Sequence, residues 1–161
     1  MLVLRTFDIV TGSRTRLKDL RNQVDSYLEP MVSSHLKARL LLAVHEIIAN
    51  TMRHSETTAT HILVDITSID GIDCCVVRDN GNAFSEFGTV WQTCQQHQSQ
   101  PLFLNYYLGL SMVCSLWPQA RYYVADESSF NSFILPLDDR GVATLPNYFK
   151  PVEKTQQVAA C

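Results

Sequence analysis

The sequence lacks any apolar run approaching the ~20 residues needed to cross a bilayer, and Met1–Asp8 has no basic stretch ahead of an apolar one. A membrane span and a secretory leader are therefore not expected, and the chain reads as soluble and cytoplasmic. It also lacks a basic block. Lys+Arg 13 against Asp+Glu 16 gives a formal net charge of −3, so the electrostatic footprint of a nucleic-acid binder is missing and no direct contact with nucleic acid is expected. Among the five cysteines, Cys74, Cys75, Cys94, Cys114 and Cys161, there is no Cys-x-x-Cys pair. Their odd number and spacing suit reduced, space-filling thiols, and Cys74 and Cys75, adjacent on a strand, would face opposite sides. No internal repeat is present.

What is there is the composition of one globular domain: 161 residues, 46% hydrophobic and 18% charged, enough for a sizeable core and too few for a second one. Apolar residues from Leu2 to Val10 suggest a strand. Leu17, Leu20, Val24, Tyr27 and Leu28 then recur at helical spacing between about Arg14 and Leu28, and Pro30 closes that helix. Ser33 or Ser34 can cap a second helix running to about His54, with the apolar stripe Leu36, Leu40, Leu41, Val44, Ile47, Ile48 and Thr51. His61–Thr67 and Ile72–Val77 read as strands joined at Asp70-Gly71, a strong hairpin signal. The polar stretch that follows Ala83 and runs to Pro101, with Phe84, Phe87 and Trp91, reads as a loop or lid. A third helix fits Leu104 to about Leu116, ahead of Pro118, and strands at Arg121–Ala125 and Phe130–Leu135 complete the core. Beyond Leu137 periodicity fades, and residues 138–161 are expected to form an extended or partly disordered tail.

Three clusters could carry chemistry. Glu46, Asn50 and His54 recur every four residues on the second helix and advance only about 40° per step, so they share one ribbon at the edge of the core. A solvated helix face would give the same spacing. Asp79 with Gly81 follows a buried strand, where a carboxylate can accept a hydrogen bond from an exocyclic amine and a glycine admits a flat ligand. Asp79-Asn80-Gly81 would also serve as a plain turn. Gly109, at the start of the third helix, offers free N–H groups and a helix dipole to a phosphate, a weak signal by itself.

In this order the clusters resemble the GHKL superfamily of ATPases, specifically its small single-domain serine-kinase branch typified by bacterial anti-sigma factors, over residues 1–137. Leu40 to His54 looks like the N box, with Glu46 and Asn50 at its defining positions and Arg53-His54 typical of the anti-sigma branch. Val76 to Gly81 looks like the G1 box, Leu108 to Val113 like the G2 box, and Ser132 to Leu137 like the last strand. The resemblance implies an α+β two-layer sandwich of Bergerat type: a mixed, mostly antiparallel sheet of about five strands with about three helices on one face. It implies ATP and Mg²⁺ as cofactors, with Asn50 as the metal ligand and Glu46 as the base acting on a substrate serine or threonine hydroxyl. Asp79 would recognise the adenine amino group, Gly81 and Ala83 would border the base, Arg53 or His54 would approach the phosphates, and Gly109 and Leu110 would hold the phosphate tail. The implied partners are an anti-sigma-factor antagonist and a sigma factor, with homodimer formation.

This chain departs from the family pattern at Ala83 and Tyr107, where glycines are expected, and at Ser128-Ser129-Phe130-Asn131, where a glycine-containing turn is expected. These departures favour a rival expectation, a partner-binding or nucleotide-binding module of the same fold without phosphoryl transfer. A histidine phosphotransfer role for His45 is disfavoured because His45 lies away from the Glu46 ribbon. A zinc protease is excluded because Ala49 stands where a metal-binding histidine is required.

Overall fold

The computed structural model describes residues 2–10, 14–30, 32–54, 61–84, 87–96, 108–124 and 130–137. The chain runs β1 (Leu2–Val10), α1 (Arg14–Leu28), α2 (Ser34–His54), β2 (His61–Ile69), β3 (Ile72–Asp79), α3 (Phe87–Gln96), α4 (Leu108–Leu116), β4 (Arg121–Tyr123) and β5 (Asn131–Pro136). The class is α+β, four helices with an antiparallel sheet. Four strands of six to nine residues form the body of the sheet, and the three-residue β4 adds an edge, in the order β1-β2-β3-β5-β4.

Two expectations are corrected here. Among the described residues every strand pair is antiparallel, so the described sheet is not mixed. Among the described residues there are four helices where about three were expected, because α3 forms within the polar stretch read as a lid. Its Phe87, Val90 and Trp91 are buried at helical spacing, whereas Gly88, Thr89 and Thr93 give it little helix propensity of its own. Ring packing compensates: Phe87 stacks on Trp91 at 5.2 Å and meets Phe133 of β5 edge-on at 5.4 Å.

The other elements follow the local code closely. Ser33 is the cap of α2, its Oγ accepting the Leu36 N–H at 3.2 Å, which satisfies one of the free donors of the first turn. Asp70 (φ +48°) and Gly71 (φ +81°) form the two-residue turn of the β2–β3 hairpin, the pair of left-handed conformations that matches strand twist. Ile69 therefore pairs with Ile72 and Val64 with Val77. β2 and β3 run two residues further than expected, to Ile69 and Asp79, and β4 is shorter. The Asp126–Ser129 turn, residues 104–107 of the third predicted helix, and the tail 138–161 lie outside the described residues.

One face of the sheet carries Ile62, Val64, Ile66, Cys75, Val77, Phe133 and Leu135, and all four helices pack onto it in a single apolar cluster. Leu20, Val24 and Leu28 come from α1, while Leu40, Val44, Ile47 and Ile48 come from α2. Cys74, on the other face, groups with Ile69, Val76, Tyr123 and Ile134, as the alternation of a strand requires. Asp65 and Thr67 are buried on that second face, with Asp65 paired to Arg78. Burial at both faces explains the continuous apolar run of β3. Among the described residues no helix is long and apolar enough to cross a membrane.

Candidate functional site

Packing of the α2 stripe into the core leaves Glu46 and Asn50 half-buried on its flank and Arg53 exposed. The first turn of α4 crosses this ribbon. At Gly109 the approach is so close that a Cβ would collide with Glu46 Oε2 and come within 3.3 Å of Asn50 Nδ2. Only glycine leaves the carboxylate where it is, and Leu110 beside it is buried in the core. Two of the three sequence clusters thus meet in space: a carboxylate, a carboxamide and the start of a helix, the end that by its dipole favours an anion. Asn50 Oδ1 accepts a 2.9 Å hydrogen bond from Arg53 Nη1. His54 is the last residue of α2, and its side chain lies outside the described set, as do Tyr107 and His97.

The third cluster is built at the end of β3. Asp79 is buried, 9% exposed, and pairs in register with Asn131 at the start of β5. Its Oδ1 accepts from Gly81 N at 2.9 Å and from Asn131 Nδ2 at 3.1 Å. The same Asn131 amide donates to Gly81 O at 2.9 Å, tying the loop after β3 to the neighbouring strand. Asn80 Oδ1 accepts from His61 N at 3.0 Å and anchors the loop's other side to β2. Ala83 is exposed on this loop, and Phe84 N donates to the Tyr122 hydroxyl at 2.9 Å. Sequence reasoning missed Asn131 and Tyr122. A polar residue opening an otherwise apolar strand was the available signal for the first, and nothing local marked the second.

The electrostatics separate inert groups from poised ones. Burial, reinforced by Asp73, pushes the Cys74 thiol up to about 12, and burial raises Cys75 as well, with Asp65 and Cys74 adding to it. Neither is a nucleophile at neutral pH. Burial also raises Asp79 above the ordinary aspartate range, while the bonds from Asn131 and Gly81 pull it down. Such a carboxyl binds its proton more tightly folded than unfolded. Its contribution to stability is complete below the unfolded value, ~3.9, and is lost as pH rises through the window up to the folded value.

Asp79→Asn keeps an acceptor for Gly81 and Asn131 and removes the buried ionisation. The melting temperature of the variant at pH 7 is expected to exceed that of the wild type, with the difference shrinking toward pH 4. A lower melting temperature at pH 7 would mean that the charge itself is structural.

The residues present fit the groups that the resemblance implies. Glu46 places a hard carboxylate oxygen beside the glycine of α4, the donor type a divalent cation on a phosphate requires, whereas Asn50 turns its Nδ2 toward that glycine and gives its Oδ1 to Arg53. Among the described residues no group of three or more His, Cys, Asp or Glu could hold a metal. Comparison with protein-family models, with curated proteins and with solved structures gives no match.

Proposed function

We propose that the chain is an ATP-binding serine/threonine-protein kinase of anti-sigma-factor type, with the Bergerat-type ATP-binding fold. The observation that carries this reading is the approach of Gly109 to Glu46 and Asn50, two segments about sixty positions apart in sequence that supply a base, a metal ligand and a phosphate-binding helix start at one place. Bound Mg-ATP supplies the phosphoryl group, with Asn50 as the protein ligand of the metal. Asp79 accepts a hydrogen bond from the adenine amine through Oδ2, the oxygen that Gly81 and Asn131 leave open, and Gly81 lets the base lie close to the backbone. Ala83 would border the base, and Leu110, its side chain buried in the core, would meet the phosphate tail through its backbone. Arg53, on leaving Asn50 Oδ1, or His54 would meet the phosphates, as the resemblance implies, and the α4 N-terminus would hold the phosphate tail. Glu46 accepts the proton of the attacking hydroxyl. Positioning and charge neutralisation of this kind are most of what phosphoryl transfer asks of a protein.

The Arg53-His54 ending of the ribbon supports the anti-sigma branch, with a small STAS-like antagonist as substrate, a sigma factor as second partner, and a homodimer as the working form. A module of this fold that binds a nucleotide or a partner without transfer is the second reading, favoured by the hold of Arg53 on Asn50 Oδ1. One experiment separates them. Incubation with Mg-ATP labelled at the γ-phosphate and a cognate antagonist domain is expected to give acid-stable phosphoserine. ATP binding in calorimetry without phosphoserine would select the second reading, and no ATP binding would remove both.

A further inference from the structure

The end of the sheet that carries Asp79 holds a second polar group with no role in the reading above. Tyr122, the middle residue of β4, pairs with Phe133, which itself pairs with Val77. Its ring therefore lies on the same face as Val77 and Asp79. Packing fixes that ring, with Phe87 at 4.8 Å and Phe133 at 5.9 Å. The hydroxyl oxygen accepts the Phe84 N–H of the loop that begins at Asp79. A phenol has a proton to donate as well as an oxygen to accept, and among the described residues no acceptor takes it. Burial, with the charge of nearby Asp79 adding to it, pushes this hydroxyl up to about 12, so the proton is retained at neutral pH.

Asp79 presents the opposite polarity. Oδ1 is filled by Gly81 and Asn131, and no described residue donates to Oδ2. The loop after β3 thus links an acceptor, Asp79, to a phenol, Tyr122, that its own Phe84 N–H holds in place, and the two lie near enough for the Asp79 charge to act on the Tyr122 hydroxyl. Adenine offers the matching edge, an amine donor flanked by ring-nitrogen acceptors, whereas a 6-oxopurine turns a carbonyl toward the carboxylate.

We infer that Tyr122 is a base-binding residue whose O–H donates to a ring nitrogen of the purine that Asp79 holds by its 6-amino group. This rests on the nucleotide reading of the site and adds to it a second polar contact on the base. Tyr122→Phe keeps the ring packing and removes only the hydroxyl. Calorimetry with ATP, 1-deaza-ATP and 7-deaza-ATP, on wild type and variant, tests it.

One deaza analogue is expected to bind the wild type about tenfold more weakly than ATP, the worth of one hydrogen bond. Tyr122→Phe is expected to bind ATP weaker by a similar factor, yet to bind that analogue as the wild type does. Equal loss for ATP and both analogues in the variant would overturn the inference, leaving the hydroxyl as a support for Phe84. Wild type binding both analogues as tightly as ATP would overturn it without any variant. A wild type that binds no ATP would overturn the functional reading and the inference with it, a result distinct from the other two.

Discussion

Trp117→Ala is expected to lower the unfolding free energy by about 3–5 kcal/mol from lost burial and the cavity left behind. Trp117 follows α4 and is 1% exposed. Its Nε1 donates a 2.7 Å hydrogen bond to Pro136 O at the end of β5, and its ring lies 5.0 Å beneath the Arg39 guanidinium of α2. Arg39 also donates to Leu116 O, one of the last carbonyls of α4, where a cation complements the helix dipole. One indole thus joins α4, α2 and β5, and truncation leaves the Pro136 carbonyl without its donor, a further ~1–3 kcal/mol. Small domains have only ~5–15 kcal/mol to lose. Urea unfolding followed by far-UV circular dichroism measures the loss, and Trp117→Phe, which keeps most of the burial, is expected to cost about half as much or less. A cost under about 1 kcal/mol for the alanine variant would contradict this account of the core.

On the kinase reading proposed above, Gly109→Ala is expected to cut phosphoryl transfer steeply while sparing the fold. The new methyl collides with Glu46 Oε2, the far end of a flexible side chain that can swing aside, and approaches Asn50 Nδ2 at 3.3 Å. Alanine improves the helix propensity of α4 by ~1 kcal/mol, which offsets the local crowding, so the urea midpoint is expected to stay near the wild-type value. If Glu46 is the base, phosphoserine formation is expected to fall by ~10²–10⁴-fold, the contribution of a positioned general base. Glu46→Ala should lose a similar factor, and the double variant little more than either single one, because both changes remove the same interaction. Full activity in Gly109→Ala would show that the carboxylate position is irrelevant to transfer. A large loss of stability would instead make the glycine a packing residue.

The elements legible in the sequence are those whose information is local. The Asp70-Gly71 turn declares itself because both residues tolerate the left-handed conformation, and the alternation on either side then sets the register of the hairpin. α2 is legible from its cap and from a stripe sustained over 21 residues. α3 was not, because its apolar positions sit among glycine, threonine and glutamine over only 10 residues. Its helix is stabilised by aromatic contacts with β4 and β5 that no window of that length contains.

The same division runs through the candidate site. The period of α2 placed Glu46 and Asn50 on one ribbon, and the position of Asp79 after an apolar run marked the end of a strand. That Gly109 presses on Glu46, that Asn131 grips Asp79 across 52 positions, that Tyr122 meets Phe84 across 38 and that Arg39 reaches Leu116 across 77 follow from the strand order and the packing of helices on one face. Turn preference and hydrophobic period act between neighbours in the chain, so residue order alone settles them. Which carboxylate receives which donor depends on the loops that close between distant segments, and only the packed structure selects those pairs.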